Sequence, residues 1–183
     1  MRLAFPLDIR IGTDLIATNR ILPTLNPNQR HLDRLTKRFL HPNELAELTR
    51  RFPEWTSIEH QAEHRRKHVA TWLAGRWAAK EAAKKAWGAT MLSFSDLRVD
   101  LEPSGNPYMI CDTRRSSDPS PSRITEQVGQ LSISHDGDYT MATVIVTPLH
   151  QDIITDLGRR KAEAESRVRT TGTYINHESH NMT

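Results

Sequence analysis

The segment from 69 to 87 constrains the fold more than any other part of the chain. It is rich in alanine, lacks proline, and holds no glycine between Gly75 and Gly88, so it predicts one long helix that stops at Gly88. Trp72, Ala79, Ala83 and Ala86 fall at spacings of 7, 4 and 3, which puts them on one face. That face is expected to pack against a sheet.

The flanking segments supply the strands. Leu7, Ile9 and Ile11 alternate with polar residues and predict a first strand, with Gly12-Thr13-Asp14 near its end. Leu15 to Leu22 continues as strand or turns into a short helix, and Asn26-Pro27-Asn28 breaks the chain. Residues 29–52 read as helical, anchored by Leu32, Leu35, Phe39, Leu45 and Leu48, with a restart at His41-Pro42-Asn43-Glu44. Residues 53–68 are polar, charged and rich in histidine, and are expected to be a surface insertion flowing into the next helix.

Residues 97–102 form a period-two strand with one solvated face, 103–107 a turn, and Tyr108 to Cys111 the returning strand. A Ser/Pro/Arg stretch over 113–124 reads as a loop. Leu131 to Ser134 and Tyr139 to Val146 are strands joined through His135-Asp136-Gly137-Asp138; the second is apolar on both faces and is expected to be central. A polar helix over 149–169 follows, and the last dozen residues are expected to be disordered. The chain thus divides into one domain, 1–148, with insertions near 50–68 and 113–126, and a C-terminal helix and tail, 149–183.

Composition narrows the classes. With 183 residues the chain suits one domain or two very small ones, and can bury a core without disulfides. Cys111 is the only cysteine, so no intrachain disulfide can form, which fits a reducing compartment such as the cytosol or mitochondrial matrix. No apolar run is long enough to span a bilayer, and Met1 to Asp8 lacks the pattern of a secretory signal. The net charge is only +3, yet Arg76, Lys80, Lys84 and Lys85 against Glu81 carry that excess within one helix. Such a local cluster points to an anionic ligand.

Three constellations carry candidate chemistry. Arg76, Lys80 and Lys84 run down one helical stripe, with Glu81 and Lys85 on the next. Three cations suit a ligand with several phosphates, and one carboxylate beside them suits a bridging metal; a solvated charged helix is the alternative. Asp14 follows Gly12 and Thr13 after an apolar strand, a place for a hard-metal ligand or for a turn or helix cap. Ser134-His135-Asp136 offers groups that meet phosphate oxygens and a further carboxylate, or only a polar hairpin. His60, His64 and His68 share a helix face, but zinc would need ligands from elsewhere.

Four pieces in order resemble the small holo-acyl-carrier-protein synthases: Ile11-Gly12-Thr13-Asp14, the run from Leu73 to Gly88, Gly105-Asn106-Pro107-Tyr108, and Ser132-Ile133-Ser134-His135-Asp136. The resemblance implies an α+β fold with an antiparallel sheet around the long helix, and a homotrimer with coenzyme A between subunits. It implies that Asp14 and Glu81 hold Mg²⁺ on the coenzyme diphosphate, with Asp136 as a further carboxylate. Lys85 would contact the phosphate under attack, so that Asp14, Glu81 and Lys85 form the catalytic set. Arg76, Lys80, Lys84, Ser134 and His135 would bind the coenzyme, with Gly105 and Pro107 beside its adenosine. Arg20 would face an acidic helix of the acyl carrier protein.

The additions near 50–68, 113–126 and after the last strand, and Asn106 where many members have a basic residue, resemble a fungal mitochondrial version. The competing reading is a basic nucleic-acid-binding module. It accounts for the basic isoelectric point but not for the lone Glu81 inside the basic helix. No Walker-type phosphate loop occurs, which disfavours ordinary ATP chemistry.

Overall fold

The computed structural model describes residues 5–25, 34, 36–60, 62–88, 90–114 and 123–178. Five strands, β1 (Arg10–Ala17), β2 (Leu97–Leu101), β3 (Pro107–Asp112), β4 (Glu126–Asp136) and β5 (Tyr139–Val146), form one sheet in the order β1-β5-β4-β3-β2. Every neighbouring pair is antiparallel. Three helices accompany it: α1 (Pro42–Arg51), α2 (Glu63–Trp87) and α3 (Gln151–Glu178). The architecture is α+β with an antiparallel sheet against the long helix, as the resemblance implies.

Helix α2 packs chiefly against β1 and β5. Trp72, Ala79, Ala83 and Ala86 are all buried, and Gly88 ends the helix at φ 61°, its N–H donating to Lys84 O. The helix begins at Glu63, earlier than the alanine-rich core suggests, because the polar residues 63–68 continue its first turns. The closest approach is at Gly12: an added Cβ would stand 2.0 Å from Ala82 O and 2.6 Å from Ala86 N. Both are helix backbone, so the clash cannot be relieved by rotating a side chain. Gly12→Ala is expected to lower stability by about 3 kcal/mol and to push β1 away from α2, read out as the midpoint of chemical denaturation.

Several expectations are corrected. Gly12-Thr13-Asp14 lies in the middle of β1, not near its end, and the strand begins at Arg10. Its buried row is Gly12 and Ile16, whereas Ile11 and Leu15 are 65% and 58% exposed. Strand β5 is interior in the sheet order, but only Thr140, Ala142, Val144 and Val146 are covered; Tyr139, Met141 and Ile145 stand on the open face. Register places Ile11 beside Ile145 and Leu15 beside Met141 on the sheet face away from α2, with the Thr13–Thr143 pair between them.

The 53–68 segment is not wholly a surface insertion, since Trp55 and Ile58 are buried in the core. Strand β2 has no clean solvated face either: Arg98 is buried, held by Asp100, Asp112 and Glu126. Strand β4 is longer than residues 131–134, and α3 extends past 169 to Glu178. The expected 113–124 loop falls largely on 115–122, and the end of the expected disordered tail on 179–183; both lie outside the described residues.

Residues 36–39 are helical and α1 restarts at Pro42 as expected. His41 Nδ1 accepts from Asn43 N while Glu44 Oε2 accepts from His41 N, closing a capping box. Helix α3 is docked rather than loose: Ile153 and Leu157 are buried, and Arg160 donates to Asp96 Oδ1 at 2.6 Å and to Thr113 O at 2.9 Å.

Candidate active site

Strand alternation and helical periodicity decide which charged groups meet. Asp14 shares its face of β1 with Gly12, the residue α2 presses upon, so its carboxylate lies on the helix side. Lys85 reaches across from the last turn of α2. Its ammonium donates to Asp14 Oδ1 at 2.7 Å and to Thr13 O at 2.9 Å. Glu81 stands one turn earlier on the same stripe, half-buried, and makes no hydrogen bond or ion pair among the described residues. Asp14 and Lys85 therefore meet at the crossing of β1 and α2, with Glu81 one turn earlier on the helix.

The stripe of three cations has other employment. Lys80 is fully buried; its ammonium pairs with Glu44 Oε2 at 2.5 Å and donates to Phe39 O at 2.6 Å and Phe94 O at 3.0 Å. Burial pushes its pKa down, against the upward pull of Glu44. Those partners use its three donors, so Lys80 ties α2 to α1 and to the 94 turn and is unavailable to a phosphate. Lys84 lies with its ammonium 4.7 Å from the Phe94 ring centre. Glu44 also accepts from Val99 N, so one carboxylate joins α1, α2 and β2.

Arg76 is also buried. It donates to Glu47 Oε2 at 2.9 Å and lies 4.3 Å over the Trp72 ring, while its Nε has no hydrogen-bond partner. It lines a cleft of about 420 Å³ together with Phe52, Thr71, Trp72, Ile133 and His135. His135 Nδ1 shares a 2.9 Å hydrogen bond with Thr140 Oγ1, and an added Cβ on Gly75 would be 3.8 Å from the His135 ring. The structure thus brings Arg76 and His135 to one cleft.

Ser134 and Asp136 belong elsewhere. They alternate with Ile133 and His135 along β4, so register puts them toward the open sheet face, opposite the side where Asp14 meets Lys85. Asp136 is therefore corrected as a further carboxylate for the same centre, and Ser134 does not join Arg76 within one chain. Gly105, at φ 89°, and Pro107 belong to the β2–β3 turn, and β3 is three strands from β1 in the sheet order. Arg20 is exposed on the 3₁₀ turn Thr18–Arg20 that follows β1.

Among the described residues no group of three or more His, Cys, Asp and Glu side chains is arranged to hold a metal. Of the three histidines, the side chain of His60 lies outside the described residues, and His64 and His68 meet as an edge-on ring pair. Asp14 with the unpartnered Glu81 nonetheless fits a hard divalent cation. Mg²⁺ commonly takes one or two protein carboxylates and completes its shell with phosphate oxygens and water. Cys111, the lone thiol, has its pKa pushed up to about 12 by burial and is no nucleophile.

Sequence reasoning missed Glu44, Glu47 and Thr140. Glu44 carries one signal, its position three residues after His41 in the capping box, but nothing in the pattern marks it as the buried partner of Lys80.

A model of the 4'-phosphopantetheinyl transferase superfamily matches residues 10–144. The chain is 39% identical over 151 residues to the 4'-phosphopantetheinyl transferase B, mitochondrial, of Aspergillus fumigatus, covering 77% of this chain and 95% of that relative. It is 36% identical over 143 residues to the holo-[acyl-carrier-protein] synthase of Gloeobacter violaceus, covering 75% and 91%. The solved Plasmodium yoelii acyl carrier protein synthase with ADP bound superposes with a TM-score of 0.53 at 22% identity, over 77% of this chain and 96% of that one, a likeness of fold. The matched segment holds β1, α2 and the cleft between α2 and β4, and ends before α3. With three quarters of its length aligned to such relatives, the chain belongs to the 4'-phosphopantetheinyl transferase superfamily.

Proposed function

We propose that the protein transfers the 4′-phosphopantetheine arm of coenzyme A to a serine of an acyl carrier protein, releasing adenosine 3′,5′-bisphosphate. The observation that carries this reading is the pairing of Asp14 with Lys85 where α2 crosses β1, one turn from Glu81, within the segment that matches the family. The relatives, a 4'-phosphopantetheinyl transferase and a holo-[acyl-carrier-protein] synthase, support the same donor and acceptor classes. A nucleic-acid-binding role has no support in them.

In this reading the carrier serine oxygen attacks the phosphorus that bears pantetheine, and the bond to the bridging oxygen of the diphosphate breaks. The serine proton passes to a base, and Glu81 is the carboxylate of this chain placed to take it. Lys85 steadies the phosphate oxygens as charge gathers on the leaving group, and positioning does most of the remaining work. Arg76 and His135, facing one cleft, hold the nucleotide end. Asp14 and Glu81 would carry a bound Mg²⁺, whose chemistry is neutralisation of diphosphate charge. Lys80 is left out of this site because its ammonium is consumed inside the protein.

A homotrimer belongs to the same proposal. The open sheet face exposes Ile11, Leu15, Val128, Tyr139, Met141 and Ile145, apolar side chains on either side of a Thr13–Thr143–Ser132 row, a surface of the kind that another subunit covers. It would also bring Ser134 and the Gly105–Pro107 turn of one protomer toward the β1–α2 crossing of another, which the sheet order keeps apart within one chain. A mitochondrial location follows the name of the Aspergillus relative.

The carrier is proposed to dock on the basic ground around Arg20, with Arg34, Lys37 and Arg38 exposed beside it in sequence. Surface charge mainly speeds encounter and is screened within about 8–10 Å at physiological salt. Raising salt is therefore expected to increase the KM for carrier far more than that for coenzyme A. Arg20→Glu is expected to do the same at low salt; steady-state kinetics with each substrate varied in turn decides, and equal salt sensitivity for both places the dock elsewhere.

The direct test of the reaction is chromatography of the nucleotide product. Adenosine 3′,5′-bisphosphate is expected only when coenzyme A, a divalent cation and apo carrier are all present. Its release without carrier, or undiminished release in excess chelator, contradicts the proposal.

A further inference from the structure

One carboxylate of the candidate centre already holds a cation. The Lys85 ammonium is 2.7 Å from Asp14 Oδ1 and 2.9 Å from Thr13 O, and the Asp14 side chain is only 18% exposed. The second carboxylate, Glu81, one turn earlier on α2, has no such partner. Of the two carboxylates proposed for the centre, one is thus neutralised within the protein and the other is open. A divalent cation and an ammonium sharing the Asp14 carboxylate would repel each other more strongly than one charge-assisted hydrogen bond attracts.

We propose that Lys85 is the internal counter-ion of the cation-free centre, and that Asp14 exchanges it for a divalent cation as the diphosphate of coenzyme A arrives. The proposal rests on the functional reading above, in which that diphosphate binds at the β1–α2 crossing. The released ammonium passes to the phosphate oxygens, whose negative charge replaces what it leaves behind. Lys85 half-exposed on the last turn of α2 has the freedom to move, and no other side chain is bonded to it. Two consequences follow from linkage. The cation alone binds weakly, because it must displace Lys85. Coenzyme A and the cation strengthen each other's binding, because the displaced ammonium then gains a partner.

The test uses Mn²⁺ alone as probe, with free Mn²⁺ counted by electron paramagnetic resonance, in the full-length protein and in Lys85→Met. Lys85 is exposed, so the variant is expected to fold, which circular dichroism checks. Without coenzyme A, Lys85→Met is expected to bind Mn²⁺ about fivefold more tightly, the upper range for releasing one partly exposed ion pair. Lys84→Met removes the same charge one residue away, where the ammonium lies over Phe94 rather than on Asp14. It is expected to change Mn²⁺ affinity by less than about 1.5-fold.

With saturating coenzyme A, the gain in Mn²⁺ affinity is expected to be about fivefold larger in the unmodified protein than in Lys85→Met. An unchanged Mn²⁺ affinity in Lys85→Met overturns the exchange, as does an equal effect of Lys84→Met. Absence of Mn²⁺ binding to every protein without coenzyme A also overturns it. Coenzyme A that binds with equal coupling in both proteins sinks the exchange and leaves the functional reading standing. Coenzyme A that fails to bind the unmodified protein by calorimetry sinks the functional reading itself.

Discussion

Glu81→Gln is expected to lower phosphopantetheine transfer by about 10³-fold, the upper range for removing one preorganised electrostatic group from a reacting centre, while the melting temperature stays within experimental error. Folding does not depend on this side chain, since Glu81 is half-buried and makes no hydrogen bond or ion pair among the described residues. Glutamine keeps its volume and its helix propensity. What disappears is the negative charge proposed to hold a divalent cation and to accept the serine proton. Loss in kcat, rather than in KM for the carrier alone, is the signature of a group acting at the reacting centre. A variant that keeps transfer within tenfold of the original would remove Glu81 from the chemistry.

Lys80→Ala is expected to show the opposite pattern, a loss of about 3–5 kcal/mol of stability from leaving the Glu44 charge buried without its partner. The ammonium at 2.5 Å from Glu44 and its two carbonyl acceptors, Phe39 O and Phe94 O, are all in the interior. Removing both charges, as in Lys80→Met with Glu44→Leu, is expected to restore part of that loss, because a buried ion pair often does no better than a packed apolar pair. Recovery is limited, since Glu44 also holds Val99 N and caps α1. Urea denaturation of the single and double variants measures the coupling. At a temperature where Lys80→Ala remains folded, its affinity for coenzyme A should match that of the original. A selective loss of coenzyme affinity without loss of stability would return Lys80 to the binding site.

These two residues, neighbours in sequence, show how far the pattern could be read. Helical periodicity separates Lys80 and Glu81 onto different stripes, and it correctly groups Glu81 with Lys85. It cannot say what each stripe faces. The partners that neutralise Lys80 and Arg76 sit on α1, 29 or more residues earlier, and α1 has no motif that announces a buried acid. The stripe that reads as a phosphate platform is in large part an internal strut.

Strand reading shows the same limit. Alternation identified β2, because one buried face leaves a period of two in the sequence; β3 was legible from the turn before it and β5 from its apolar run. In β1 and β5 the period misleads: Ile11, Leu15, Met141 and Ile145 are apolar yet uncovered, while Gly12 and Ala142 form the buried row. A face reserved for another surface carries the same composition as a core face. The glycine pressed against α2 is legible only once the helix is in place. The same alternation parts Asp136 and Ser134 from His135, groups that adjacency in the sequence joins.

Helix α3 is beyond the reach of both motif and family match, and composition alone gives it no role. Its anchoring by Ile153, Leu157 and the Arg160–Asp96 pair makes it part of the body, joined through the 93–96 turn to the Phe94 carbonyl that holds Lys80.

The central claim is group transfer to a carrier serine, and intact-mass spectrometry of that carrier tests it most directly. Apo acyl carrier protein incubated with this protein, coenzyme A and Mg²⁺ is expected to gain the mass of one phosphopantetheine group, and peptide mapping should locate it on a single serine. Replacing that serine with alanine should abolish the gain. A carrier whose mass stays unchanged under these conditions, with coenzyme A shown to bind, would contradict the assignment.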